Sequence, residues 1–237
     1  MVIPASDLAS LAGLLADETR AAMCLALLDG RAWTAKELAA HANVAPSTAT
    51  EHLHRLVAGG LLVERRQGRH RYLQLADPEV ATLLEDLSAR LAPAARNVKG
   101  LRASTAHEAL RRGRTCYDHL AGRLGIAVTD AMAEADLLDV AGGFALTAAG
   151  RQWLTGPVGI DPAALRPGRR PMARACLDWT ERRQHLAGVA GARLCERFLG
   201  NGWVTRVGSG RAVRTTPEGR TALRDRLGID LVGIDEL

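Results

Sequence analysis

The residues of this 237-residue chain with the clearest chemical potential form two similar groups in its second half. Each group carries a thiol, a carboxyl and an imidazole: Cys116, Asp118 and His119 in the first, Cys176, Asp178 and His185 in the second. Thiolate, imidazole and carboxylate are ligand types that zinc-like metals accept. On continuous helices, however, Cys116 and His119 share a face, whereas Cys176 and His185, nine residues apart, lie on opposite faces. The helical interpretation therefore predicts two groups that contribute unequally to one site.

Several interpretations of these residues stay open, and the ligand or cofactor is not identified by the sequence. The one we favour is a pocket for an organic effector, with a mixed apolar and polar lining of Cys116, His119, Cys176, Trp179 and Arg183. The alternatives are a metal or metalloid site made by Cys116, His119 and Cys176, thiol redox sensing, or plain packing of two small cysteines. We expect no enzyme, because no local motif supplies an oxyanion hole or a group that orients a base.

The two groups belong to an internal duplication. Residues 114–125 correspond to residues 174–191 with a six-residue insertion, and residues 147–154 match residues 216–223. We expect each copy to be two helices, short strands, then a Thr-x-x-Gly-Arg turn into a last helix, similar to a degenerate winged helix. Related copies usually face each other across a pseudo-twofold axis, so the groove between them is the expected effector site.

The elements that an effector site would regulate lie earlier in the chain. Residues 33–75 are predicted to form two helices and a hairpin. Thr34–Asn43 is predicted as a short amphipathic helix, and Pro46 suits the first position of the next, Ser47–Val57. Gly59 and Gly60 end that helix, and two strands then flank the turn at Gln67 and Gly68. Helix, turn, helix and wing in this order predict a DNA-binding domain.

The second helix has two faces of different character. Ala49, Leu53 and Leu56 fall on one side and are expected to pack inward together with Val57. The other side carries side chains that can hydrogen-bond to base edges in the major groove of double-stranded operator DNA: Ser47, Thr48, Glu51, His54 and Arg55. Four arginines of the hairpin suit the flanking phosphates: Arg65, Arg66, Arg69 and Arg71.

In these motifs the chain resembles the ArsR-type (ArsR/SmtB) winged helix-turn-helix transcriptional regulators. The resemblance covers residues 10–90 and rests on the segments 15–20, 37–39, 47–53, 56–62 and the wing at 67–69. It implies a homodimer, which we expect to be a repressor, that releases operator DNA or changes its grip when a ligand binds. The metal-binding positions common in the family have no cysteine pair at residues 34–38 and no histidine at residues 77–91. The resemblance alone therefore implies no metal.

Two apolar stripes flank the predicted DNA-binding segment and agree with a dimer. They comprise Leu8, Leu11, Leu14 and Leu15 before it, and Val80, Leu83, Leu84, Leu87 and Leu91 after it. The alternative is packing against the chain's own C-terminal half. We expect a mainly α fold with small β wings: a DNA-binding and dimerisation domain at 1–95, a basic connector helix at 96–113, and repeats at 114–166 and 170–237.

The composition restricts the core residues and the cellular compartment but does not identify a function. The net charge of +5 is no argument for the DNA-binding segment, since residues 1–100 carry 11 Lys and Arg against 11 Asp and Glu. With 3% aromatic residues, the cores must be built mostly from Leu, Ala and Val. Four scattered cysteines fit a reducing compartment, and neither a signal peptide nor a membrane span is evident, so we expect a cytoplasmic protein.

Overall fold

The computed structural model describes residues 4–67, 70–91, 101–166, 168–208 and 210–228. The chain divides into two compact units, of which the first ends at Leu84 and the second begins at Glu85. Both are mainly helical with short antiparallel strands, which confirms the fold class expected from the sequence. None of the helices in this part of the chain has both the length and the apolar character needed to cross a membrane.

The first unit is a winged helix-turn-helix. Its elements are α1 (Ala5–Leu15), α2 (Glu18–Ala26), a short 3-10 turn, β1 (Trp33–Thr34), α3 (Ala35–His41), α4 (Pro46–Ala58), β2 (Leu62–Gln67), β3 (His70–Leu75) and the start of α5 (Pro78–Arg90). The three strands form an antiparallel sheet in the order β1-β3-β2. In the wing, Leu62 lies opposite Leu75 and Gln67 lies opposite His70.

Local sequence signals explain where these helices begin and end. Thr34 caps α3 in a capping box: its hydroxyl accepts from the Glu37 N–H at 3.3 Å, and the Glu37 carboxylate accepts from the Thr34 N–H at 2.7 Å. Pro46 occupies the first turn of α4, where its missing N–H leaves no hydrogen bond unmade. Gly60 has a φ of +76°, which a side chain would disfavour, and it ends the helix before β2.

The second unit holds the end of α5, then α6 (Leu101–Arg112) and two repeats of one order: hairpin, helix, hairpin, helix. The first repeat is β4 (Arg114–Cys116), β5 (His119–Ala121), α7 (Gly122–Glu134), β6 (Leu138–Asp139), β7 (Ala145–Leu146) and α8 (Ala148–Thr155). The second is β8 (Arg174–Leu177), β9 (Gln184–Ala187), α9 (Gly188–Gly200), β10 (Val204–Arg206), β11 (Val213–Thr215) and α10 (Pro217–Leu227). A shared apolar core joins the two repeats, with Leu120, Leu186 and Phe198 among its buried members.

The expectation that each repeat opens with a helix is wrong, because both open with a β-hairpin. Gly122 and Gly188, at equivalent positions, have φ values of +72° and +84°, so a right-handed helix cannot run through either one. A Cβ at Gly122 would also lie 2.6 Å from the Arg111 carbonyl oxygen. Short buried apolar runs do not separate strand from helix by periodicity, and the sequence reasoning failed for that reason. The Thr-x-x-Gly-Arg turns are confirmed, since Thr147 and Thr216 cap α8 and α10.

Candidate DNA-binding surface and buried cysteine-histidine cluster

Helix α4 presents one polar surface to solvent. All five side chains expected to meet DNA are exposed, and we call them the α4 polar face: Ser47, Thr48, Glu51, His54 and Arg55. The opposite side of α4 buries Ala49, Leu53 and Leu56 in the first unit, as the sequence predicts. Within the face, Arg55 pairs with Glu51 at 2.6 Å, one helical turn away, which orients the guanidinium along the helix.

The β2–β3 wing carries arginines beside a single acidic group. Arg65 and Arg66 are exposed on β2, and Arg71 is half-buried on β3. Glu64 pairs with Arg66 at 3.3 Å and with Arg71 at 2.6 Å. Arg69, the fourth arginine expected at the wing, lies outside the described residues. One carboxylate among three described arginines leaves this hairpin positively charged, which suits contact with phosphates.

An open groove of about 500 Å³ joins helix and wing. Its walls come from α4 and β3 and comprise Ser47, Thr50, Glu51, His54, Arg55, Ala58 and Arg71. The structure therefore places polar groups from α4 and a wing arginine along one groove.

The second unit contains a buried cluster made by its two equivalent hairpins. Cys116 pairs with His119 across β4 and β5, and Cys176 pairs with His185 across β8 and β9. One ligating atom from each of these four residues lies within 4.8 Å of all the others. The His119 and His185 rings are stacked with centroids 5.0 Å apart, and their Nε2 atoms are 3.1 Å apart. No member is more than 2% exposed. We call this set the Cys2His2 cluster.

The expectation that Cys176 and His185 lie on opposite faces is therefore wrong. It assumed a continuous helix, whereas cross-strand neighbours in a hairpin project to the same side of the sheet. The six-residue insertion only lengthens the second hairpin and its loop, so the equivalence of His185 with His119 is kept. The internal duplication already indicated His185, because aligning the two repeats places His185 opposite His119.

Each histidine of the Cys2His2 cluster is backed by an aspartate. His119 Nδ1 lies 3.2 Å from Asp118 Oδ1, and His185 Nδ1 lies 3.8 Å from Asp178 Oδ2. Arg170 holds Asp118 with two hydrogen bonds of 2.5 and 2.9 Å. Arg114 and the Gly122 N–H donate to Asp178 at 2.9 and 2.7 Å. The backing is thus similar on both sides, with an arginine behind each carboxylate.

Glu85 is a functional candidate that sequence reasoning missed. It is 6% exposed on α5, and its Oε2 lies 3.7 Å from Cys176 Sγ. Burial raises the pKa of its carboxyl to about 7, although the neighbouring His119 partly opposes this. No local motif surrounds Glu85 in the sequence, so only the tertiary contact identifies it.

The cluster perturbs the acidity of its own members. The hydrogen bond between the two thiols lowers the pKa of Cys176, with His119 and His185 acting in the same direction, and it raises the pKa of Cys116 together with burial. Burial lowers the pKa of His185. Burial also acts to lower the pKa of His119, but hydrogen bonds to Asp118 and Cys176 outweigh it and raise that pKa to about 9. One thiolate next to one imidazolium is the arrangement these directions favour.

Two residues expected to line an effector pocket lie elsewhere in the second unit. Trp179 packs its ring on the Arg114 guanidinium, 4.8 Å from the ring centroid. Arg183 is exposed and pairs with Asp130 at 2.8 Å. Trp179 thus contacts the arginine that pairs with Asp178 behind His185, and the structure does not bring the exposed Arg183 to the buried cluster. A separate open cavity of about 550 Å³ has Arg112, Leu124, Val213 and Arg220 among its lining residues.

The remaining two cysteines belong to the apolar cores. Cys24 is fully buried in the first unit, and Cys195 is 2% exposed in the second. Burial raises the pKa of each thiol to about 12, so both stay protonated and unreactive. They offer matched controls for experiments on the Cys2His2 cluster.

Comparison with known proteins adds to this geometry. Residues 15–65 match a family described as a helix-turn-helix domain. Over 226 residues the chain is 38% identical to the HTH-type transcriptional regulator YdfF of Bacillus subtilis. This alignment covers 95% of the present chain and 99% of YdfF. It is also 40% identical over 82 residues to the HTH-type transcriptional regulator CmtR of Mycobacterium tuberculosis, covering 35% of this chain and 69% of that one.

Solved structures resemble the first part of the chain. The cadmium sensor CmtR of Mycobacterium tuberculosis aligns at 39% identity with a TM-score of 0.30, covering 33% of this chain and 81% of that one. A homodimeric winged helix-turn-helix domain from Mycobacterium bovis aligns at 27% identity with a TM-score of 0.33, covering 35% and 75%. The near-complete match to the Bacillus regulator shows the family, and the motifs of residues 15–71 are of the ArsR type. The chain belongs to the ArsR-type winged helix-turn-helix transcriptional regulators.

Proposed function

We propose that this regulator is a homodimeric repressor whose affinity for operator DNA changes when the Cys2His2 cluster binds a ligand. The observation that carries the DNA-binding part is the α4 polar face, five exposed polar side chains beside a groove shared with the wing. The ligand-binding part is supported by four metal-ligand or nucleophile side chains buried together between two repeats.

The roles of the DNA-contacting residues follow from their chemistry. Ser47, His54 and Arg55 are able to hydrogen-bond to base edges when α4 lies in the major groove, which is about 12 Å wide and admits one helix. Arg65 and Arg66 are exposed on the wing and are suited to the phosphates beside that groove. The base contacts would select the sequence, whereas the wing would supply affinity that depends on salt.

A second copy of the chain is the partner we propose for α1. None of the α1 residues is buried within the chain, and Leu8 is 64% exposed. The apolar side of α1 is only partly covered, since Leu11, Leu14 and Leu15 are half-buried, and burying it against another copy would stabilise the helix. A symmetric dimer would place two α4 helices about one turn of DNA apart, roughly 34 Å, on a palindromic operator.

Ligand response requires the ligand to prefer one of two dimer geometries. A preference of about 3 kcal/mol changes operator affinity on the order of a hundredfold. Helix α5 has residues in both compact units, and it carries Glu85 beside Cys176. We therefore propose α5 as the element through which the state of the cluster reaches the DNA-binding unit.

The DNA-binding part is tested with a charge reversal at the wing. We expect the double substitution Arg65→Glu and Arg66→Glu to weaken binding to operator fragments from the protein's own upstream region at least tenfold. The slope of log affinity against log salt should fall by about 4, since about one counterion is released per phosphate contact and the dimer loses two such contacts in each of its two wings. Fluorescence anisotropy on labelled DNA measures both quantities.

A matched control makes the same change of charge elsewhere. Arg193 and Arg224 lie on the surface of the second unit, and reversing both to Glu should leave the salt slope unchanged. Equal binding by the wing variant and the wild-type protein would overturn the DNA-binding surface proposed for this protein.

A further inference from the structure

We infer that the ligand is one divalent metal ion of the zinc type, bound by the Cys116 and Cys176 thiolates and the Nε2 atoms of His119 and His185. The metal ion would be the ligand of the proposed function, and the claim that operator affinity responds to the ion rests on that function. All four metal ligands lie in the second unit.

The spacing of the four ligating atoms fits tetrahedral coordination. With Zn–N bonds of about 2.0–2.1 Å and Zn–S bonds of about 2.3 Å, a tetrahedron has an N···N edge of roughly 3.3 Å and an S···S edge of roughly 3.8 Å. The two Nε2 atoms are 3.1 Å apart, and all four ligating atoms lie within 4.8 Å of one another. The four atoms are therefore close enough to one another to surround a single ion.

Both histidines are oriented as metal ligands are. In a metal site, the ring nitrogen away from the ion usually donates to a carboxylate, which fixes the tautomer and makes the ligating nitrogen more basic. Here His119 Nδ1 is 3.2 Å from Asp118, within hydrogen-bond distance, whereas His185 Nδ1 is 3.8 Å from Asp178, slightly too far for a hydrogen bond, and the two Nε2 atoms face each other. Each ring therefore has a carboxylate behind it and its Nε2 turned toward the other ring, which is the orientation that a shared ion requires.

Buried polar atoms without hydrogen-bond partners also support a bound cation. Among the described residues, Glu85 Oε1 and His185 Nδ1 are buried and have no hydrogen-bond partner. A polar group buried without a partner costs free energy, so packing alone is a poor reason to assemble this set. A cation bound by Cys176 would lie close to Glu85 and would offset the cost of its unpartnered oxygen electrostatically.

Charge and ligand softness select the class of ion. Two thiolates carry two negative charges, so a divalent ion makes the buried core of the site neutral, as its fully buried setting requires. Thiolate and imidazole favour Zn²⁺, Cd²⁺ and Co²⁺ over Mg²⁺ and Ca²⁺, which prefer oxygen ligands. Four protein ligands also leave no open coordination position, which is typical of a holding site and not of a catalytic one.

Binding needs no other reactant. Two metal–sulfur and two metal–nitrogen bonds form as the ion loses bound water, and any proton on the thiols or on the Nε2 atoms, including the extra proton of an imidazolium at His119, leaves to solvent. No oxidant or reductant takes part. This separates the metal site from the thiol redox alternative, in which Cys116 and Cys176 would lose two electrons to an oxidant and form a disulfide.

The site is tested by titrating the reduced, metal-free full chain with Co²⁺ and then with Zn²⁺. We expect thiolate-to-cobalt charge-transfer absorption and strong visible bands of tetrahedral Co²⁺, saturating at one ion per chain and lost when Zn²⁺ displaces the cobalt. Elemental analysis after dialysis gives the Zn²⁺ stoichiometry. Cys176→Ser and His185→Gln should each weaken binding at least a hundredfold, whereas the buried control Cys195→Ala should bind as the wild type does.

A second measurement needs no substitution, in case a variant fails to fold. Zn²⁺ should protect Cys116 and Cys176 from alkylation in the wild-type chain during partial unfolding, and chelation should remove that protection, as peptide mass spectrometry would show. Reduced protein with four titratable thiols that takes up neither ion would overturn the site. So would full binding by both the Cys176 and the His185 variants when they are folded.

The outcomes separate this inference from the proposed function. One tightly bound Zn²⁺ with no change in operator affinity supports the metal site and overturns the ligand response. One bound Zn²⁺ in a protein that binds no operator DNA supports the metal site and overturns the DNA-binding proposal. Operator binding that responds to an organic compound, in a protein that takes up no metal, overturns this inference and leaves the regulator in place.

Discussion

Asp118 and Asp178 occupy equivalent positions behind the two histidines, but the chain anchors them differently. Asp178 is fully buried, and Arg114 and the Gly122 N–H both depend on it, so its loss would disturb the fold. Asp118 keeps 29% of its side chain exposed and is held mainly by Arg170. Burial raises the pKa of Asp118, but hydrogen bonds from Arg170 and His119 outweigh it and lower that pKa to about 2. Asp118 is therefore ionised at neutral pH and can be changed at less structural cost than Asp178.

We expect Asp118→Ala to lower Zn²⁺ affinity about 10- to 100-fold, because His119 loses the carboxylate that orients its ring. Competition against a chromophoric chelator measures the affinity. Asp130→Ala removes a similar carboxylate, the exposed partner of Arg183, and should leave it unchanged. Equal affinities for the Asp118 variant and the wild type would show that this carboxylate does not support the metal site.

At the scale of elements, α5 is the helix whose contacts make it a candidate for transmitting ligand binding. Its last two turns are tied to the second repeat in three ways. Glu85 lies beside Cys176, Asp86 pairs with Arg174 at 3.6 Å, and the Ala89 carbonyl accepts a hydrogen bond from Arg182 at 2.6 Å. The first of these contacts involves the Cys2His2 cluster, so a change at Cys176 acts on α5 most directly through Glu85.

We expect Glu85→Gln to keep one Zn²⁺ per chain while reducing the effect of Zn²⁺ on operator affinity from about a hundredfold to less than about tenfold. The reason is that the neutral amide interacts less strongly with the bound cation. Anisotropy titrations of DNA with and without Zn²⁺ measure the coupling. Glu79→Gln, an exposed change on the same helix, is the control. An undiminished Zn²⁺ effect in the Glu85 variant would exclude this residue from the coupling.

The cap turns before α8 and α10 are the second feature at this scale. A Cβ at Gly219 would lie 1.9 Å from the Trp203 carbonyl oxygen, whereas a Cβ at Gly200 would meet nothing within 4 Å. We expect Gly219→Ala to lower the free energy of unfolding by about 1–3 kcal/mol through overpacking. Gly200→Ala should change it by less than about 1 kcal/mol. Urea denaturation followed by circular dichroism compares them, and equal midpoints would contradict the close approach.

For the whole molecule, the proposed self-association rests on the partly exposed apolar side of α1. Leu8 is 64% exposed in a helix with no buried residue. Association through this helix would also explain why a small DNA-binding unit carries leucines on its surface.

We expect Leu8→Glu to shift the protein toward the monomer and to weaken operator binding at least tenfold, because a monomer contacts one half-site only. Light scattering coupled to size-exclusion chromatography measures the mass. Val140→Glu places the same charge on an exposed apolar residue of the second unit and should leave the mass unchanged. A Leu8 variant with the mass of the wild-type protein would rule out α1 as the dimer contact.

The winged helix-turn-helix can be predicted from the printed residues, because the signals for it are local. The capping residue Thr34, Pro46 at the start of α4, Gly60 at its end and the period of Ala49, Leu53 and Leu56 each act within about one or two helical turns. The sequence also reveals the duplication, since the repeated Cys, His, Thr and Gly positions are visible in the printed residues.

How those repeated residues meet is visible only in the folded chain. His119 and His185 are 66 positions apart, and Cys176 and Glu85 are 91 apart, so no local pattern can place them together. Their meeting depends on two hairpins facing each other, and a helical interpretation of the same segments put His185 on the wrong side. A helix-turn-helix is specified by residues that are close together in the sequence. A buried ligand cluster is specified by packing between segments that are far apart in the sequence.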